Sequence, residues 1–375
     1  MAKQSLVPNP AKIKVIGMGG GGSNAITRMV REGIKGIEFI AMNTDARALA
    51  ITEAPVRFQL GEKLTRGLGC GGDPVVGRKA AEENREELKE MIAGSDMVFL
   101  TCGMGGGTGT GSIPVIAEVA KGSGALTIAI VTKPFAFEGK HRMRNAEEGI
   151  SELVSKVDTL IIIPNDRLLE LCDQKTTLEN AFKMADSVLY HGVQAISEVI
   201  TVPGMINLDF ADVKTIMKNA GPAWMSIGTG SGKERAVTAA KEALASPLLE
   251  ASIEGATGVL FNIVGSTNLT LFEINQAAQI IRQMAHPEAN IIFGVVQDPS
   301  MNEDVRITLI ATGYTAVGLT GARAEEQKKI LRALKTEDEL DVPSFMRHPM
   351  FAHRRQLPDV TLKPADVPRR AEVRQ

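Results

Sequence analysis

Near-continuous apolar runs alternate along the chain with longer stretches whose apolar positions recur at helical spacing. The runs at residues 13–16, 37–42, 97–102, 126–132 and 159–164 each have the length of a fully buried strand. Helical patterns fill the gaps at 25–30, 75–93 and 113–120, with a charged one from about Gly139. Ile/Val-rich strands separated by amphipathic helices predict a parallel sheet covered on both faces. A helical stretch without proline then spans about 176–200, longer than the usual globular helix. Past it, a second alternation places strands at 223–228, 258–264, 291–296 and 305–311, and helices at 213–219, 234–245 and 271–284. The last two strands leave no room for a crossover helix, so this second sheet is expected to be mixed.

Glycine interrupts the first alternation where strands end. The densest stretch is GMGGGTGTG, residues 103–111, between a strand and an apolar helix. With few side chains in the way, its N–H groups can close around an anion at the positive end of the helix. A flexible linker would instead join polar segments. GMGGGGSN at 17–24 follows the first strand, and Gly17, Gly19 and Gly22 match the dinucleotide fingerprint, with an acid, Asp45, near the end of the second strand. An NAD-dependent oxidoreductase therefore fits these residues, but it leaves the second and richer loop unexplained. Two such loops on one sheet suggest a mononucleotide whose phosphates are clasped from both sides. A third glycine-rich connection, GLGCGGDP, occupies 67–74. Residues 228–234 imitate a Walker loop, but Ile227 stands where its first glycine belongs and Glu234 where Ser or Thr does.

Composition narrows the setting. A chain of 375 residues holds two domains and a tail. A net charge of −2 gives no argument for nucleic acid. Cys70, Cys102 and Cys172 are odd in number and lack metal-ligand spacing, which points to a reducing, cytoplasmic setting. No apolar run reaches the ~18 residues of a membrane span, so membrane contact is expected to be indirect.

GMGGGTGTG after a strand, NTD at 43–45, PND at 164–166 and NLDFADV at 207–213 together resemble the FtsZ family, the bacterial tubulin-like cell-division GTPases. The resemblance runs in order from about Ile13 to Gly313. It implies an α/β, tubulin-like fold: an arm (1–12), a Rossmann-like GTP-binding domain (13–175), a connecting helix (176–202), and a C-terminal domain with the catalytic loop and a mixed sheet (203–318). A short charged linker (319–340) and a disordered tail (341–375) would follow. It further implies that GTP or GDP lies on Gly20, Gly21, Gly22 and Asn24 from one side and on Gly103, Gly105, Gly106, Gly107, Thr108 and Gly109 from the other. Asn43, Gly71, Gly72 and Thr132 would complete the nucleotide site, with Glu138 and Arg142 on the ribose side and Asn165, Phe182 and Asp186 at the base. Magnesium would be carried by the phosphates, with no metal site in the protein. Asn207, Asp209 and Asp212 would act on the nucleotide of a neighbour in a head-to-tail homopolymer. Without that context, Asp209 reads as a helix cap and Asp212 as a first-turn acid. The family's place is the cytoplasmic ring at mid-cell, reached through adaptor proteins that would dock on 341–347.

Two departures stand out. Cys70-Gly71-Gly72-Asp73 replaces the usual Ala-Gly-Ala-Asn and brings a carboxylate towards the γ-phosphate. The linker is short, and the tail at 348–375 is rich in Pro and Arg. A tubulin-like scaffold that holds nucleotide without turnover is a further alternative.

Overall fold

The computed structural model describes residues 11–170, 176–202, 209–249 and 252–314. Asn207, Cys172, most of the arm, the linker and the 341–347 peptide lie outside the described residues. The first half runs β1 (Ile13–Met18), α1 (Gly19–Arg31), β2 (Ile37–Asn43), α2 (Ala46–Ala50), β3 (Val56–Gln59), α3 (Glu62–Thr65), α4 (Pro74–Glu83), α5 (Arg85–Ile92), β4 (Met97–Gly103), α6 (Thr108–Gly122), β5 (Leu126–Lys133), α7 (Lys140–Leu153), β6 (Thr159–Pro164) and α8 (Asn165–Leu169). After these come α9 (Leu178–Thr201), α10 (Phe210–Met217), β7 (Gly221–Ser231), α11 (Arg235–Ala245), β8 (Gly258–Gly265), α12 (Leu271–Met284), β9 (Asn290–Gln297) and β10 (Asp304–Thr312).

The strands are ordered β3-β2-β1-β4-β5-β6-β7-β10-β8-β9 in one ten-stranded sheet. From β3 to β6 every pairing is parallel, and strand alternation feeds two cores. Met97 and Phe99 turn to one face, with α1 and α9 residues such as Ile26 and Val193. Val98, Leu100 and Cys102 turn to the other, with Ile113 and Ile116 of α6. β7 joins the two halves: Gly221 to Ala223 pair with β6 in parallel, and Trp224 to Ser231 pair with β10 antiparallel. β8 pairs β10 antiparallel and β9 parallel, so this part of the sheet is mixed.

The expected helix at 75–93 is two helices, α4 and α5. Asn84 parts them because its Oδ1 accepts the Gly61 N–H at 2.8 Å and its amide donates to Glu87. A side chain that serves a loop in this way competes with the helical ladder. In the C-terminal half Arg235, with its side chain 5% exposed, donates through Nε to Glu273 Oε1 at 2.7 Å. Glu273 also accepts from Thr270 at the start of α12, and these bonds hold its carboxyl down at about 2. A carboxylate so depressed contributes stability above its ordinary value of 4.5, and that contribution is lost as pH falls towards 2. Among the described residues Glu273→Ala leaves the Arg235 guanidinium only the Asn268 carbonyl at 3.3 Å and Glu303 at 3.9 Å, and should lower unfolding free energy by about 1–3 kcal/mol in urea titrations at pH 7.

Candidate functional site

Three helix N-termini converge at the carboxyl ends of β1 and β4, the neighbours at which the strand order reverses. Both expected glycine loops are half loop and half first helical turn, since α1 starts at Gly19 and α6 at Thr108. They touch backbone to backbone. A Cβ on Gly21 would lie 3.2 Å from Gly103 N, and one on Gly19 3.0 Å from Gly109 N. Gly22 is tighter still, 2.6 Å from Thr101 O by the same construction. Gly20 and Gly106, by contrast, face open space, with nothing within 4 Å of a Cβ. Gly105 needs its glycine twice over: its φ is +99°, and a Cβ would meet Arg142 O at 2.8 Å.

The third loop closes on the second. A Cβ on Gly107 would meet Cys70 Cβ at 2.7 Å and Asp73 N at 2.9 Å. Hydroxyls of Thr44 and Thr108 share a 2.6 Å hydrogen bond beside the Cys70 thiol. Asn43 is buried and its Oδ1 accepts from Asp45 N–H at 3.2 Å. Thr132 is buried beside Gly103. Gly71 and Gly72 face open space at the rim.

Farther along, β6 ends at Pro164 and hands over to Asn165, which is buried with its Oδ1 unpartnered among the described residues. Asp166 accepts from Ala136 N–H at 2.9 Å and so ties this turn to the one after β5. There Phe135 stacks on Phe137 at 5.0 Å and meets Phe182 of α9 edge-on at 5.5 Å. Phe137 is 59% exposed and Phe182 40%, so both offer flat apolar surface to a ring. Glu138 accepts from Phe135 N–H at 3.0 Å and pairs with Arg142.

Between α1 and α9 lies a groove of about 620 Å³, lined by Asn24, Thr27, Arg28, Phe182 and Asp186 among others. Burial pushes the Asp186 carboxyl up to about 6, against the opposing pull of Arg28. Arg28 was not among the expected residues. Its Nε is buried without a partner among the described residues, and it stands one helical turn beyond Asn24, which is the signal that would have found it.

The remaining expected residues lie elsewhere. Asp209 caps α10, accepting from Asp212 N–H at 2.8 Å, and Asp212 sits in the first turn, so the capping geometry is present. At its other end α10 is fastened to the start of β6, where the Thr159 hydroxyl donates to Met217 O and Asn219 N–H to Asp158. That is the amino end of the sheet, about 20 Å from the carboxyl end across the six residues of β6. α9 connects the two poles, and its 24 residues span about 36 Å. The glycine loops, Asn165 and Asp186 share one pole; α9 ends at Thr201 beside Gly36, just before β2, and α10, which Asp209 and Asp212 open, is fastened at that same amino end.

Residues 12–173 match the Tubulin/FtsZ family GTPase domain, and residues 221–315 the C-terminal domain of the FtsZ family. A structure of an empty FtsZ dimer from M. jannaschii is 49% identical, with a TM-score of 0.80 over 82% of this chain and 90% of its own. The chain belongs to the FtsZ family. The FtsZ fold carries GTPase activity, and its tubulin-like architecture agrees with the expectation from the four motifs. Two chains of Haloferax volcanii share the fold at TM-score 0.69: CetZ2 as a GTPγS-bound protofilament, 18% identical over 88% of this chain and 99% of its own, and CetZ1 as a GDP-bound monomer, 20% identical over 86% and 99%. Membership of FtsZ also sets aside the oxidoreductase reading of GMGGGGSN. No helix among the described residues is long and apolar enough to cross a membrane.

Proposed function

We propose that this chain assembles head to tail into GTP-dependent filaments and hydrolyses GTP where one copy meets the next. The reading rests on one observation, the separation of the glycine loops from Asp209 and Asp212 at opposite poles of one molecule. A contact that joins unlike poles does not close on itself and gives a filament. The dimeric and protofilament forms of similar proteins support the same picture.

In this reading Gly20, Gly21, Gly22, Gly105, Gly106, Gly107, Thr108 and Gly109 cradle the phosphates with N–H groups and helix ends. Asn207, Asp209 and Asp212 of the neighbouring copy orient and polarise the attacking water, since phosphoryl transfer asks mainly for positioning. Among the described residues no group of three or more His, Cys, Asp or Glu could hold a metal ion. A magnesium ion would be carried on the phosphate oxygens, where it would neutralise charge. The family's further role, a cytoplasmic ring at the mid-cell division site joined to adaptor proteins through 341–347, is proposed on the same footing. Removal of 341–347 should spare GTP-induced filaments and abolish adaptor binding; retained binding would refute that role. Sedimentation tests the assembly itself: protein should pellet with GTP and not with GDP. Pelleting indifferent to nucleotide would refute it.

Asp186 supplies the base selectivity. A carboxylate there accepts from both N1–H and the exocyclic amine of guanine, and adenine would leave it buried without that donor. Its folded-state value, raised to about 6 from 3.8, means that ionising it opposes folding. The stabilising contribution is present below 3.8 and is lost as pH rises through about 6. At pH 7.5 Asp186→Asn should therefore raise the Tm of the nucleotide-free protein, an advantage that vanishes near pH 4. The same change should weaken GTP binding, and wild-type affinity should decline below pH 6 as the carboxyl protonates.

A further inference from the structure

The proposed nucleotide path crosses the edge of the sheet from one face to the other. Phe182 and Asp186 belong to α9, which packs with α1 over one face, while α4 and α6 pack together over the other. The phosphate tail, remote from the base, is thus directed to the side where α4 and α6 begin. Asp73 stands there. Its backbone is fastened to the phosphate loop, with N and O 2.9 and 3.0 Å from a Cβ built on Gly107. Its exposed carboxylate accepts from Val75 N–H at 2.8 Å and caps α4. Gly71 and Gly72 before it leave open space.

Asparagine or serine would cap α4 as well, so the fold does not need the charge. The charge alters the site in two ways. It cancels the positive end of α4, one of three helix ends that frame the phosphates. It also enters a site short of cations, because residues 17–24, 67–73 and 103–111 contain no Lys or Arg and Arg142 is paired with Glu138. We propose that Asp73 makes nucleotide binding depend on a divalent cation riding on the phosphate tail. A bare triphosphate is repelled, and one whose charge is reduced by magnesium is accepted. The effect grows from diphosphate to triphosphate, because the longer tail comes closer to the carboxylate.

This inference rests on the glycine loops being the GTP site. The test is equilibrium binding of GTPγS and GDP to full-length wild type and Asp73→Asn, in EDTA and in excess magnesium, with melting curves as a control for the cap. In EDTA, Asp73→Asn should bind GTPγS about five- to tenfold tighter than wild type, the size of a screened unit-charge interaction over several ångströms. In magnesium the two should agree within about twofold, and GDP should respond less than GTPγS. Equal EDTA-to-magnesium ratios for both proteins, at unchanged Tm, would overturn the role of Asp73. Should Asp73→Asn melt lower, Asp73→Ser repeats the comparison with a different neutral cap. Failure of wild type to bind GTPγS in either buffer would sink the site assignment itself, and the inference with it.

Discussion

Asp212→Ala should remove GTP turnover, by roughly 100-fold or more, while GTP binding and the fold stay nearly intact. Asp212 lies at the pole opposite the glycine loops and its own backbone N–H, not its side chain, takes the Asp209 cap. Its carboxylate is therefore free of a structural duty in the cap. Asp209 carries two duties and needs a finer probe. Asp209→Asn keeps an oxygen for the Asp212 N–H and should leave α10 in place while turnover drops. Asp209→Ala should lose the cap as well, at about 1 kcal/mol of stability. Single-turnover hydrolysis, nucleotide affinity and urea unfolding, measured on each variant, separate these contributions. An Asp212→Ala protein that hydrolyses GTP at the wild-type rate within filaments would refute the proposed active centre.

The glycines should divide into two classes with opposite signatures. In Gly22→Ala the new methyl would lie 2.6 Å from Thr101 O and 2.7 Å from the carbonyl carbon of Gly17, both backbone atoms of adjacent elements. Neither can yield without moving β1 or β4, so stability should fall by about 1–3 kcal/mol, as in an overpacked core. Gly20→Ala and Gly106→Ala put their methyls where nothing lies within 4 Å. Tm should hold or rise slightly, since alanine restricts the unfolded chain. GTP affinity should nevertheless fall at least ~10-fold, about 1.4 kcal/mol, because the methyls occupy the space assigned to the phosphates. Melting curves with and without GTP distinguish the classes: Gly22→Ala should melt low, and Gly20→Ala should melt normally and gain little from GTP. Full GTP stabilisation in Gly20→Ala and Gly106→Ala would mean that the phosphates lie elsewhere.

The buried parallel strands were legible because a strand covered on both faces reads as an unbroken apolar run, as in residues 97–102. β3 was not, because Val56-Arg57-Phe58-Gln59 is four residues long and alternates with polar side chains at the sheet edge. The true starts of α1 and α6 were hidden for another reason. Glycine and threonine are poor helix formers, so GGGGSN and TGTG read as loop, and only packing against Gly103 and Pro74 winds them into helix. The glycine-loop residues could be expected from composition and their place after strands. Arg28 is marked only by its place one helical turn beyond Asn24, a weak signal because a lone arginine on an amphipathic helix usually faces water. The distance between Asp209 and the glycine loops was also beyond the sequence alone, since it depends on the strand order and on α10 docking at the amino end of β6.

The most direct measurement of the split centre is the rate of phosphate release per molecule as protein concentration rises from well below the onset of pelleting to well above it. The head-to-tail account expects near-zero turnover in the dilute range and a sharp rise once sedimentable filaments form, with GTP already bound throughout. A constant rate per molecule across that range would contradict it, because each isolated chain would then hold a complete active centre.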